Sequence, residues 1–194
     1  SMDKLDGIRA FIAVRLEEEV EDAITAMIQE SRRPGDGIGW VKSVNLHLTL
    51  RFLGDAVDAE LLPPLIGLLR IISADTAAFT VRVHGAGAFP NLDSPRVIWI
   101  GLESADLISL AARVEEASVK AGFAPERRRY SPHLTIGRIR EPSRAADARR
   151  FVKHAADSDF GISTIHELAL FRSLLSPQGA AYHQIASFRL TAGS

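Results

Sequence analysis

The sequence predicts an α+β fold of two lobes that face each other across a cleft. Three observations carry that prediction. Strand-like and helix-like segments occur in two similar sets, and each set contains one His-x-Thr-x pattern, at His47 and at His133. The links between segments are short or hairpin-like, which favours antiparallel sheets over a doubly wound one. No Pro-, Gly- or Ser-rich linker divides the chain. The expectation is therefore a single two-lobed domain over 1–194, with one motif per lobe at 47–50 and 133–136.

Ile8 to Leu16 reads as the first strand, with Ile8, Phe11, Ile12 and Val14 supplying its apolar content. From Glu17, the residues Val20, Ala23, Ile24, Met27 and Ile28 fall at helical spacing, and three glutamates suit the N-terminal end of the dipole. Ser31 to Gly39 reads as a loop, either a flap beside the first motif or a plain connection. Trp40 leads into the first motif strand, which is expected to end near Gly54. Leu61 to Ile72 is a second amphipathic helix, with Pro63 and Pro64 tolerated in its first turn. Phe79 to His84 and Arg96 to Leu102 are strands joined by a turn through Phe89-Pro90-Asn91.

Leu107, Leu110, Ala111, Val114, Ala117 and Ala121 mark a third helix stopped by Gly122. Arg127-Arg128-Arg129-Tyr130 precedes the second motif strand. Ser143 is a candidate cap for a fourth helix carrying Phe151. Two late strands, near Ile162 to Leu175 and Ala181 to Leu190, flank a hairpin signal at Ser176-Pro177-Gln178-Gly179.

Composition narrows the function. With 46% hydrophobic residues the chain can build a core and is no candidate for disorder. A net charge of −1 provides no global field for long nucleic acid, so an anionic ligand must be recognised locally. There is no cysteine, which excludes disulfides, thiolate zinc sites and cysteine nucleophiles, and suits a reducing cytoplasm. No apolar run is long enough to cross a membrane, no signal peptide precedes Asp3, and Ser1-Met2 reads as a cloning remnant. Arginine outnumbers lysine 19 to 4, through genomic bias or through selection of planar donors for phosphate.

The motif itself is Asn45-Leu46-His47-Leu48-Thr49-Leu50-Arg51-Phe52, repeated as Ser131-Pro132-His133-Leu134-Thr135-Ile136-Gly137-Arg138. Alternate residues of a strand share a face. His and Thr therefore project together, and the apolar residues between them anchor the strand. Composition alone would yield roughly 0.2 such patterns by chance. Two imidazoles suit paired proton transfers near neutral pH, and a hydroxyl two residues on can donate to an oxygen of the reacting group. That combination fits displacement at a phosphodiester, where charge gathers on the non-bridging oxygens. No third ligand accompanies either motif at strand spacing, so neither a metal nor another cofactor is expected. Neither a Gly-x-Ser-x-Gly elbow nor a P-loop is present.

The paired His-x-Thr-x motifs resemble those of the 2H phosphoesterases, and specifically the bacterial and archaeal RNA 2′,3′-cyclic phosphodiesterase (2′-5′ RNA ligase) family. The resemblance extends to Arg9-Ala10-Phe11-Ile12-Ala13-Val14, Trp40-Val41, Leu50 to Gly54, Gly87-Ala88-Phe89-Pro90, Leu170-Phe171-Arg172-Ser173 and Gly179 to Tyr182. The loop at Arg32 to Gly39 is longer than that family's. The resemblance implies two antiparallel sheets with flanking helices related by a pseudo-twofold axis. It implies metal-independent hydrolysis of an RNA-terminal or nucleoside 2′,3′-cyclic phosphate to a 2′-phosphomonoester, with reversible 2′-5′ joining of RNA ends. It implies His47 as proton donor, His133 as proton acceptor, Thr49 and Thr135 on phosphate oxygens, Arg138 at the phosphate and Phe52 on the base.

Two of these roles conflict with strict alternation, which turns Phe52 and Arg138 away from the histidines and brings Arg51 onto their face. Gly137 offers a way round in the second copy; nothing similar is visible in the first. Phe52 therefore stands as base-stacking or core, Arg51 as phosphate contact or solvated charge, and Tyr182 as site lining or hairpin packing. Arg127 to Arg129 either steer RNA ends or form a solvated face. His84, His154, His166 and His183 read as structural or surface. Two other functions stay open: turnover of a different small cyclic phosphate, such as that of ADP-ribose, and binding of RNA ends or a nucleotide without turnover. The expected protein is a cytoplasmic monomer that acts on RNA ends and avoids membranes.

Overall fold

The computed structural model describes residues 7–193. The reading of Ser1-Met2 and of the stretch before Asp3 lies outside the described residues. Among the described residues nine strands form two antiparallel sheets, and four helices cover them, in the α+β arrangement expected. The first sheet has the order β3-β1-β8-β9, from Leu48–Val57, Ile8–Val14, Glu167–Ser176 and Gly179–Arg189. The second has the order β2-β6-β5-β4-β7, from Ile38–Trp40, His133–Ile139, Val97–Glu103, Phe79–Phe89 and Asp159–Ile165. β3, at the edge of the first sheet, touches β6 of the second, so the two motif strands meet at the seam.

Each helix follows from its sequence. α1 (Glu18–Ser31) buries Val20, Ile24 and Ile28, one per turn, and opens on Glu18, Glu19 and Glu21. α2 (Leu62–Ala74) carries its prolines in the first turn, where their missing N–H groups have no helical partner to lose. α3 (Ala105–Ala121) is capped by Ser104, whose Oγ accepts from the Leu107 N–H at 3.2 Å, and ends at Gly122 with φ 117°. α4 (Ala145–Ala155) buries Ala148, Phe151 and Val152. Among sheet neighbours, α1 packs on β7, α2 on β8 and β9, α3 on β3 and β4, and α4 on β4. One hydrophobic core joins these helices to the inner faces of both sheets through Ile12, Leu48, Leu50, Ile98, Ile100, Leu134 and Ile136. Burial of each such side chain is worth about 2 kcal/mol, so the x positions of both motifs fix their strands.

Several boundaries differ from the sequence reading. The segment after Trp40 is not one strand. β2 ends there, a 3-10 turn covers Ser43–Asn45, and β3 starts at Leu48, one residue past His47. Ile162 to Leu175 is two strands in different sheets, because the chain crosses from β7 to β8 at His166, whose carbonyl accepts from the Leu190 N–H at 2.9 Å. Ser143 caps nothing: it lies in a 3-10 turn, Pro142–Arg144, and α4 begins with no side-chain cap. The Ser31 to Gly39 loop is pinned. The buried Asp36 carboxylate accepts from the backbone N–H of Arg33 and Ile38 and from Trp40 Nε1, at 3.0 to 3.2 Å.

Candidate functional site

Both motif strands carry the same irregularity at the same place. Opposite β3, consecutive residues Ala13 and Ile12 of β1 face Thr49 and Arg51, so Leu50 is an extra residue. Opposite β6, consecutive residues Trp99 and Ile98 of β5 face Thr135 and Gly137, so Ile136 is extra. Each is a β-bulge directly after the threonine, and it reverses the facing of the residues that follow it, in β3 until a second register shift past Phe52. Phe52 therefore returns to the face of Thr49, opposite Phe11, and Arg138 to the face of Thr135, opposite Val97.

This corrects the reading of Arg51. The bulge turns it to the core side, only 7% exposed, where it pairs with Glu115 of α3. It also donates to the Ala124 carbonyl at 2.6 Å and to the Phe52 carbonyl at 3.1 Å. Phe52 is not core: it is 38% exposed, with the Arg9 guanidinium 4.6 Å from its ring centroid.

His47 sits on an aromatic patch on the face of the first sheet turned away from the main core. Phe11, Ala13, Ala169 and Phe171 form that patch, with Tyr182 packed against it. The His47 ring lies 4.4 Å from Phe171, 5.3 Å from Tyr182 and 6.1 Å from Phe11, in edge-to-face geometry. Its Nδ1 is buried with no partner among the described residues. Burial, and secondarily the nearby Arg15 guanidinium, lower its pKa from 6.5 to about 4. The segment leading to it is tied to the β8–β9 hairpin, where Asn45 Nδ2 donates to the Ala180 carbonyl at 2.9 Å.

That lowered pKa has a consequence for stability. Between pH 6.5 and about 4 the unfolded chain binds a proton at His47 that the folded chain does not. The contribution is intact above 6.5 and is lost as pH falls toward 4, by about 3 kcal/mol in all. Urea titrations from pH 7.5 to 4.5 should show this loss, and His47→Phe should flatten the dependence.

His133 is held differently. Its Nδ1 lies 2.6 Å from the Ser131 carbonyl, which can only accept, so Nδ1 carries the proton and Nε2 is free for chemistry. Its ring meets Phe89 edge-on at 5.0 Å. Beside it, Thr135 lies opposite Trp99, whose indole covers Gly87; a Cβ there would run into the ring. Thr49 is exposed, Thr135 half-buried and Arg138 exposed.

The structure thus places His47, Thr49 and Phe52 on one motif face, and His133, Thr135 and Arg138 on the other. Tyr182 packs on Phe11 at 4.9 Å as well as on His47 at 5.3 Å. Arg127 to Arg129 are exposed, as are His154, His166 and His183, and His84 is half-buried. The ring contacts to Phe11, Phe89 and Phe171 escaped the sequence reading. The signal was the unbroken apolar run Ala10–Val14, since a strand apolar on both faces has something packed on each. Two depressions flank the patch, one of about 190 Å³ near Ala13, His166 and Phe171, and one of about 300 Å³ near Arg9, Asp55 and Arg172. Neither contains a motif histidine or threonine.

No described helix is long and apolar enough to cross a membrane. Residues 18–175 match the family model of the 2′-5′ RNA ligase superfamily. An RNA 2′,3′-cyclic phosphodiesterase of Methanothermobacter thermautotrophicus is 34% identical over 185 residues, covering 94% of this chain and 99% of the relative. Another from Archaeoglobus fulgidus is 34% identical, covering 93% and 99%. Among solved structures, Escherichia coli LigT complexed with 3′-AMP superposes with a TM-score of 0.78 at 27% identity, over 95% of this chain and 98% of LigT. Paired motifs, their matched bulges and these full-length likenesses agree, and the chain belongs to the 2′-5′ RNA ligase superfamily.

Proposed function

We propose that this chain is a metal-independent RNA 2′,3′-cyclic 3′-phosphodiesterase that acts as a single two-lobed unit, one motif per lobe. It opens RNA-terminal or nucleoside 2′,3′-cyclic phosphates to 2′-phosphomonoesters, and it can join RNA ends through a 2′-5′ linkage by the reverse chemistry. The observation that carries this reading is the doubled motif, with each bulge returning one further side chain to the His–Thr face. Support also comes from relatives named for this activity and from the LigT neighbour solved with 3′-AMP.

In the proposed step His133 Nε2 takes a proton from water, whose oxygen bonds to phosphorus. The bond from phosphorus to the 3′ oxygen breaks, and His47 gives that oxygen a proton. Thr49, Thr135 and Arg138 hold the non-bridging oxygens, and Phe52 stacks on the base. His47 is neutral at pH 7 in the free protein, so it gains its proton as the phosphate anion arrives beside it. A second reading exchanges the two roles; the depressed pKa of His47 favours it, since a neutral imidazole is ready to act as the base. In either assignment the acid limb of kcat/KM falls near pH 4, well below a free imidazole. A pH–rate profile measures it.

Phosphorus NMR on a short RNA ending in a 2′,3′-cyclic phosphate, with EDTA present, tests the reaction. A 2′-phosphomonoester from the wild type, and none from His133→Ala, is the expected result. A 3′-phosphate would reverse which oxygen leaves and so exchange the histidine roles. Tight binding without product would favour a binding module instead, and turnover confined to ADP-ribose cyclic phosphate would favour that substrate. The same reading takes the protein to be a cytoplasmic monomer. The absence of cysteine and the supply of both motifs by one chain support that view.

A further inference from the structure

We propose that the edge of the second sheet beyond the Thr135 bulge is a track for the RNA strand upstream of the reacting phosphate, with Arg140 and Arg144 as its phosphate contacts. The inference rests on the proposed function and extends it from a terminal nucleotide to an oligonucleotide.

The bulge returns Arg138 to the motif face, and Arg140 follows one residue past the end of β6 with its side chain beside Gly39, the residue opposite Arg138. The track also needs room on the neighbouring strand, and Gly39 provides it. Gly39 pairs with Arg138 across β2 and β6, and the Arg140 side chain lies in the space that a Cβ of Gly39 would occupy. Arg144 continues the line: its side chain packs against Gly37, with Glu141 alongside, and reaches toward Gly35. The pinned Arg32 to Gly39 loop therefore forms the floor under these guanidinium stems.

Charge points the same way. Residues 32–40 and 138–144 hold five arginines against two carboxylates, Asp36 and Glu141, in a chain whose net charge is −1. Asp36 is buried and committed to Arg33, Ile38 and Trp40. Arg138, Arg140 and Arg144 have no carboxylate partner among the described residues, whereas Arg9, Arg15, Arg51, Arg82, Arg113 and Arg150 each have one. Arginines left unpaired in a line are suited to bidentate phosphate contacts.

The test compares a nucleoside 2′,3′-cyclic monophosphate with an octanucleotide ending in the same group, for wild type and for Arg140→Ala/Arg144→Ala. Wild type should favour the octamer about tenfold in kcat/KM, and the double variant should lose most of that advantage while keeping mononucleotide turnover within about twofold. In fluorescence anisotropy with labelled octamer, the double variant should show a log-affinity against log-salt slope shallower by about 1.4, for two single-strand phosphate contacts. Equal kcat/KM on both substrates in the wild type, or an undiminished octamer advantage in the variant, would overturn the track. If wild type turned over neither substrate, the proposed reaction would fail, and anisotropy alone would judge the track. Weaker octamer binding by the variant would support it and unchanged binding would refute it.

Discussion

His133→Ala is expected to lower kcat/KM for a nucleoside 2′,3′-cyclic phosphate by about 10³-fold, within the 10²- to 10⁴-fold range of one positioned proton transfer. The fold should survive. The anchoring of β6 comes from Leu134 and Ile136 on its other face, whereas the imidazole meets the Ser131 carbonyl and the edge of the Phe89 ring. Near-unchanged melting with collapsed turnover is the predicted pair of results. Retention of more than a tenth of wild-type kcat/KM would remove His133 from the chemistry. His47→Ala should lose activity to a similar degree but at a structural cost, because it uncovers Phe171, Phe11 and Tyr182. The two variants therefore differ in stability while sharing a kinetic defect, an asymmetry that a mere pair of surface histidines would not produce.

The sequence carried the order of the elements because hydrophobic periodicity, capping and turn chemistry are local. Ser104 and Gly122 bound α3, Pro63 and Pro64 start α2, and Ser176 to Gly179 closes the last hairpin, all as the residue types demand. It carried the two motifs because alternation and repetition are visible in one dimension. It did not carry the bulges. Leu50 and Ile136 are apolar residues in apolar strands, and nothing in either marks it as the extra residue; only the partner strand shows that. One unseen residue per strand therefore misplaced Arg51 and left Phe52 and Arg138 at odds with alternation. The break at His166 was hidden for a related reason. Ile162, Ile165 and Leu168 continue one apolar pattern without Gly or Pro, while the chain changes sheets. Ser143 has a capping side chain, but a proline-led 3-10 turn occupies the place where it would act.

Arg51 is the position where that hidden geometry has its largest energetic effect. Arg51→Ala should cost about 2–3 kcal/mol, somewhat below what breaking a fully buried ion pair costs, since Glu115 is itself 31% exposed and partly hydrated. Thermal melting should fall by about 5–10 °C. The carboxylate is only one of its contacts. Arg51 Nε donates to the Phe52 carbonyl at 3.1 Å, and its Nη2 donates to the Ala124 carbonyl at 2.6 Å, so the guanidinium ties the residue after the bulge to the segment that follows α3. If that tie sets the angle at which Phe52 meets the base, the substitution raises KM several-fold and leaves kcat near wild type. The double variant Arg51→Met/Glu115→Met separates the two effects. It removes the orphaned charge and keeps apolar volume, so stability should largely return. The donor to the Phe52 carbonyl is still missing, so the raised KM should persist. Recovery of KM together with stability would mean that Arg51 holds the fold alone and that Phe52 finds its place without it.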